Sequence, residues 1–305
     1  MPGERYGTGK YRAGPMALDE RRGVLYLTSG TPKALSFPDG ELIRAFSKMK
    51  YSHPWLSDDG KYLALYGAAG HMEIYDTANL DEPLFRKKWP WIKGAFQCFW
   101  HGHALIFAVW SAVYVIDVPS LAVRVIYGPE KEKYDDETWH QNGHIPSMDL
   151  YEDELIIQHR RFETGDLVSR VNASDGRLID TRSGLSADRG LFHDGKGGYY
   201  LARWDEMRHF TVYPDDFDRQ GEIVPLGSDV LAASATVCFS HDRRYASVGC
   251  GDLRKATVTK RQLYRTADWT IADEISHAPF GQDSFSIGGR YWMTWWTKNY
   301  IVSIE

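Results

Sequence analysis

Cysteine is scarce in this chain, with three in 305 residues. They are Cys98, Cys238 and Cys250, and no two fall in a CxxC spacing. An odd count without paired spacing argues against a disulfide framework, and the missing CxxC argues against a zinc knuckle. Cys98 and Cys238 sit in apolar runs, which predicts buried, reduced thiols. Long hydrophobic runs are missing too. No stretch approaches the roughly 18 apolar residues of a membrane-spanning helix, so no membrane association is expected. The opening residues Met1-Pro2-Gly3-Glu4-Arg5 are polar and no apolar segment follows. That pattern predicts no signal peptide and a cytoplasmic location. Charge of one sign is absent as well: 36 Lys and Arg stand against 41 Asp and Glu, for a net charge of -5. The basic clusters, such as Arg86-Lys87-Lys88 and Arg243-Arg244, are short, which argues against nucleic acid as the partner. There is no GxSxG nucleophile elbow, no phosphate-binding loop and no dinucleotide fingerprint.

What the chain does contain is a repeat. Its clearest copy runs Trp55-Leu56-Ser57-Asp58-Asp59-Gly60-Lys61-Tyr62-Leu63-Ala64-Leu65-Tyr66 and continues to His71-Met72-Glu73-Ile74-Tyr75-Asp76. Asp-Asp-Gly between two strand-length apolar runs is a tight-turn signal. About seven copies follow one another. Their third strands end near Phe37, Tyr75, Ile116, Val171, Tyr213, Tyr264 and Ser303, spaced about 38 to 55 residues apart, close to the ~40–50 of a propeller blade. The first strands align an apolar column: Leu18, Leu56, Cys98, Met148, Phe192, Phe239 and Phe285. Such a column is expected where blades pack around a channel. The expectation is one all-β domain over 1–305, a seven-bladed β-propeller. The last copy stops after its third strand, so the stretch Glu4–Tyr11 is expected to supply the missing outer strand and close the ring.

Over nearly its whole length the pattern resembles the WD-repeat and related propeller superfamily. Tyr75-Asp76 and Ile116-Asp117 resemble the third-strand ending of that family, and Gly143-His144 resembles its preceding Gly-His. The resemblance is to an architecture and not to a functional family. Propellers of this kind include scaffolds, sugar binders, lyases, hydrolases and quinone-dependent dehydrogenases, so the site must be argued from its own residues.

In a propeller, the loops leading into each first strand and those between second and third strands share one face around the channel mouth. On this register that face carries His53, His144, Arg160, Arg189, Arg203, His277, Trp91, Trp139, Trp204 and Trp296. Eleven tryptophans are many for a chain of this size. An exposed indole suits sugar rings, aromatic ligands and protein hot spots, though blade-to-blade packing also uses Trp, as expected for Trp292 and Trp295. Arg160, Arg189 and Arg203 suit carboxylate or phosphate ligands, or pair with acids such as Asp166. His140 and His144 share the spacing of a metal-binding pair, but Gly143 and Pro146 argue for a solvated insertion. A metal site across blades would use His53, His144 and His277. His101, His103, His193 and His241 fall in the opposite turns, where they are expected to serve turn geometry or solvent contacts.

Two functions follow. One is a non-catalytic binding module whose Trp- and Arg-bearing face holds a protein partner or a small acidic or glycan-like ligand, through Trp91, Trp139, Arg160, Trp204 and Trp296. The other is an enzyme in which His53, His144, Arg189, Arg203 and His277 do acid–base or metal-assisted work on a small anionic substrate. The residues name no cofactor and no metal for either.

Overall fold

The computed structural model describes residues 3–46, 52–67, 70–88, 97–128, 143–161, 165–184, 190–202, 209–213, 222–226, 237–252, 257–276, 283–295 and 298–304. The described strands form seven four-stranded antiparallel sheets. An N-terminal strand β1 (Arg5–Tyr6) precedes the first sheet in the chain. Blade 1 is β2 (Met16–Asp19), β3 (Val24–Leu27), β4 (Lys33–Ser36) and β5 (Leu42–Ala45). Blade 2 is β6 (Ser52–Leu56), β7 (Tyr62–Gly67), β8 (His71–Asp76) and β9 (Phe85–Lys88). Blade 3 is β10 (Cys98–His101), β11 (Ala104–Val109), β12 (Ala112–Asp117) and β13 (Ala122–Tyr127). Blade 4 is β14 (His144–Tyr151), β15 (Glu154–Arg160), β16 (Leu167–Asn172) and β17 (Leu178–Ser183). Blade 5 is β18 (Leu191–His193), β19 (Tyr199–Ala202), β20 (His209–Tyr213) and β21 (Glu222–Pro225). Blade 6 is β22 (Val237–Phe239), β23 (Tyr245–Asp252), β24 (Thr257–Arg265) and β25 (Ile271–Ser276). Blade 7 is β26 (Asp283–Phe285), β27 (Tyr291–Trp295) and β28 (Asn299–Ser303), completed by β1.

A six-residue turn shapes the first hairpin of three blades. In blade 2 the Ser57 hydroxyl donates to Asp59 at 2.7 Å and accepts from the Tyr62 amide at 2.8 Å. Ser240, Asp242 and Tyr245 repeat both bonds in blade 6, and Ser286 accepts from the Tyr291 amide in blade 7. The fourth position needs positive φ. Gly60 (72°) and Gly289 (77°) supply it without strain, whereas Arg243 takes it at 59°. The WD-like Asp76 closes the next turn by accepting from the Ala78 amide at 2.8 Å.

The strands alternate their side chains between two neighbours, because successive residues point to opposite sheet faces. On β7, Leu63 and Leu65 pack towards blade 1, while Ala64 and Tyr66 pack towards blade 3. The apolar interior is therefore divided. One buried cluster lies between each pair of neighbouring blades, from blades 1 and 2 round to blades 7 and 1. Every member of the expected apolar column lies on an innermost strand. Leu18, Leu56, Cys98, Phe239 and Phe285 line a central cavity of about 240 Å³. Trp292 is fully buried and Trp295 packs on the cluster between blades 7 and 1, so both serve the core as expected.

The two ends of the chain meet in one sheet. Arg5 pairs with Val302 and Tyr6 with Ile301. The Gly3 amide donates to the Ser303 carbonyl at 2.7 Å, and the Ser303 amide to the Glu4 carbonyl at 2.9 Å. The Tyr6 ring stands edge-on to Phe37 at 5.2 Å and to Tyr291 at 6.2 Å. The expected closing strand is in place.

Cys98 and Cys250 are buried and Cys238 half-buried, and all three are free thiols. Burial pushes the Cys238 thiol up to about 12, so it is protonated at neutral pH. Among the described residues no helix is long and apolar enough to cross a membrane.

Candidate functional site

Of the residues expected at the channel mouth, three lie within the described chain. His53 is the second residue of β6 and pairs with Tyr66. Its ring lies 5.6 Å from that of Trp55, and burial lowers its pKa. His144 opens β14 opposite Arg160, the last residue of β15. Arg160 lies 3.9 Å from Asp166, one of the acids expected to pair with it. Burial first, and then the Arg160 charge, lower the His144 pKa. Gly143 is required beside them: a Cβ there would stand 1.8 Å from the Arg160 carbonyl oxygen. The fold thus brings His144 and Arg160 together on blade 4 and sets His53 apart on blade 2. Both described imidazoles are held neutral at pH 7. Arg189, Arg203, His277, Trp91, Trp139, Trp204 and Trp296 lie outside the described residues, as does His140. Among the described residues no cluster of three or more His, Cys, Asp or Glu is placed to hold a metal ion.

The opposite face, where the first-to-second turns lie, departs from expectation. All four of its histidines pair with carboxylates of other blades. His101 of blade 3 meets Asp153 of blade 4 at 2.6 Å, and His103 meets Asp59 of blade 2 at 3.3 Å. His241 of blade 6 reaches across the end of the central cavity on this face to Asp58 of blade 2. His193 enters the most buried network. Its Nδ1 lies 3.0 Å from Asp149 and its Nε2 3.4 Å from Glu154, both on blade 4. Arg243 of blade 6 donates to both Asp149 oxygens at 2.9 Å and to the Leu150 carbonyl at 2.8 Å. Glu154 also accepts from Arg170 through Nε at 2.9 Å and Nη2 at 2.7 Å, and from the Tyr199 hydroxyl at 2.6 Å. One network therefore joins blades 4, 5 and 6.

Carboxylates stand at both nitrogens of His193. Each can only accept, so the ring satisfies both by carrying two protons. Burial alone would lower its pKa, but the bonds to Asp149 and Glu154 win and raise it. Burial likewise opposes ionisation of Asp149 and Glu154. Arg243 and His193 overcome it at Asp149, and His193, Arg170 and Tyr199 at Glu154, so both acids are depressed. A raised His contributes stability that is full below its unfolded value and is lost as pH rises through the folded value. The depressed acids contribute above their unfolded values and lose this as pH falls. The network therefore contributes most between the ordinary values of 4.5 and 6.5. The melting-temperature gap between wild type and His193→Gln should be widest near about pH 5.5 and narrower at about pH 8.5. A gap that is flat between those pH values, followed by calorimetry, would count against this assignment.

Arg243 was readable in part from the sequence. It occupies the turn position where Gly60 and Gly289 stand in the other copies, and an arginine accepted at positive φ points to a bond that holds it there. Its partner lies 94 positions away and has no local signature. Asp283 begins β26 with its side chain wholly buried against Arg261 of β24 and Ser247 of β23.

No family model matches this sequence, and no curated protein matches it. Solved structures do: 1536 chains match, a breadth that points to a shared architecture and not to one activity. A chain of the crystal structure of the mitotic checkpoint complex aligns with a TM-score of 0.68 over 99% of this chain and 91% of that one, at 13% identity. At that identity the likeness is one of fold. The chain is a β-propeller of the WD-repeat-like architecture.

Proposed function

We propose that this propeller is a non-catalytic binding module, located in the cytoplasm, which holds a protein partner against the face where loops surround the channel mouth. The observation that carries this reading is how the ring uses its charged groups. The buried side chains of Asp149, His193, Arg243, Arg261 and Asp283 are spent on joining blades, which makes a stiff frame for presenting loops. On the loop face, Arg160 offers a cation and the neighbouring neutral His144 a hydrogen-bonding ring to an acidic side chain, and the repeat register leads us to expect indole surface there from Trp91, Trp139, Trp204 and Trp296. The same groups suit a small acidic or glycan-like ligand. The structural neighbour, a chain of a multi-protein complex, is in keeping with a protein partner. Free thiols suit a reducing compartment.

The test is affinity capture of crosslinked partners by the full chain, quantified by mass spectrometry. The Trp204→Ala/Trp296→Ala double variant should lose about tenfold of the proteins enriched by wild type, with its melting temperature unchanged. Equal capture by the double variant, or no enrichment by wild type, would refute the proposal.

A further inference from the structure

We propose that the seam between blades 4 and 5, where it meets the loop face, is a binding site for a neutral sugar. This goes beyond the protein-binding reading of that face. Two side chains carry it. Gln158 of β15 and Ser147 of β14 stand opposite each other in the sheet, with exposures of 1% and 2%. The Gln158 Oε1 and Nε2 and the Ser147 Oγ have no hydrogen-bond partner among the described residues. Both side chains point to the seam. Two residues along β15, Ile156 packs with Leu191 and Leu201 of blade 5, and two residues along β14, Asp149 binds His193 of blade 5. Alternate residues of a strand share one face.

A buried polar group without a partner costs free energy, and nearly all such groups in native proteins are satisfied. A leucine, close to glutamine in size, would fill the place of Gln158 without that cost. Three unpartnered atoms on one cross-strand pair therefore mark a place that something outside the chain completes.

The open valences select the guest. The Gln158 amide offers two donor hydrogens and an acceptor, and the Ser147 hydroxyl both donates and accepts. Neither carries charge. A carboxylate would leave Oε1 without a donor, an ammonium would leave Nε2 without an acceptor, and either would bury its charge on an uncharged floor. A hydroxyl both donates and accepts, so neighbouring hydroxyls of a sugar ring can meet the two ends of the amide and the serine together. The groups nearer the loops are balanced in charge as well. His144 is neutral, and Arg160 lies 3.9 Å from Asp166. The side chains of that ion pair are 31% and 21% exposed, so the seam opens outward from the buried floor to the loop face. In the sequence, Arg189 and Arg203 next to the blade 5 strands are accompanied by Asp188 and Asp205, so neither sign of charge is in excess.

The probes are the methyl glycosides of glucose, galactose, mannose and N-acetylglucosamine, titrated into the full chain and followed by calorimetry, with the methyl glycoside of glucuronic acid as the anionic control. The expected result is saturable binding of at least one neutral glycoside, unchanged at about 0.5 M salt, and weaker binding of the glucuronide. Gln158→Leu should weaken that binding about tenfold or more. Without sugar, the same variant should melt at or above wild type, because it removes an unpartnered buried amide; a glutamine with a purely structural role would give a lower melt. Ser147→Ala should lose several-fold, and it serves alone if Gln158→Leu does not fold. Capture of protein partners by Gln158→Leu should equal that of wild type, which keeps this site separate from the protein-binding reading. No saturable binding of any glycoside, as when ordered water alone completes the pair, equal affinity in Gln158→Leu, or tighter, salt-sensitive binding of the glucuronide overturns the proposal.

Discussion

Arg261→Met is expected to lower the unfolding free energy by about 3–5 kcal/mol, the cost of leaving one member of a buried ion pair alone. Arg261 and Asp283 lie between blades 6 and 7 with side-chain exposures of 2% and 0%. Burial already holds the Asp283 carboxyl above the usual range, against the pull of Arg261 and Ser247. Without the guanidinium that carboxyl must either stay charged in an apolar setting or take up a proton. The sign of the pH effect follows. A carboxyl with a raised folded pKa takes up its proton more readily in the folded state than in the unfolded one, so stability falls as pH rises from 3.8 through the folded value. The deficit of Arg261→Met should therefore be smaller near about pH 4 than at about pH 7. Removing both charges gives a different result. Arg261→Met/Asp283→Leu should recover to within about 1 kcal/mol of wild type, because a buried pair can often be exchanged for apolar packing at little cost. Denaturant melts of the three proteins at two pH values test this. A single variant within about 0.5 kcal/mol of wild type would show that the pair carries little.

Deleting residues 1–7 should lower the melting temperature by about 10 °C or more, several kcal/mol at the usual conversion for large domains. Without β1, β28 becomes an open edge and Ser303 loses both of its backbone partners from Gly3 and Glu4. The Tyr6 ring leaves its place against Phe37 and Tyr291, where blades 7 and 1 meet. A ring has no free end in which to absorb such a loss, since opening one sheet weakens the closure of the whole circle. Tyr6→Ala, which keeps the strand and removes the ring, should fall between the deletion and wild type. A deletion variant that melts with wild type by circular dichroism would place the closure elsewhere.

How far the sequence could be read depended on the distance over which each feature is written. The Ser57-Asp58-Asp59-Gly60 turn and the β7 run after it were legible, because a turn and a strand are specified within a dozen residues by φ preferences and alternating side chains. The apolar column from Leu18 to Phe285 was legible because each copy repeats the same packing problem. The closing strand was legible because the last copy lacks its fourth strand and the N-terminus has one to offer. The site was less so. His144 and Arg160 were placed on one face by counting strands, and they do stand opposite each other on β14 and β15.

The polar joints between blades were not legible. His193 and His241 were assigned to turns from their position in the repeat, and each proved to be bound to a residue of another blade. His241 and Asp58 are 183 positions apart, and Asp149 and Arg243 are 94 apart. No local pattern encodes such a partner, because it is chosen by the radius of the ring and by which turns the closed circle brings face to face. The chain by itself determined the strands, their turns and the apolar faces that stack them, since those follow from short-range backbone sterics and hydrophobic periodicity. Only the tertiary structure decided which charges meet across the blades. Electrostatic pairing depends on distances that exist only once the ring has closed.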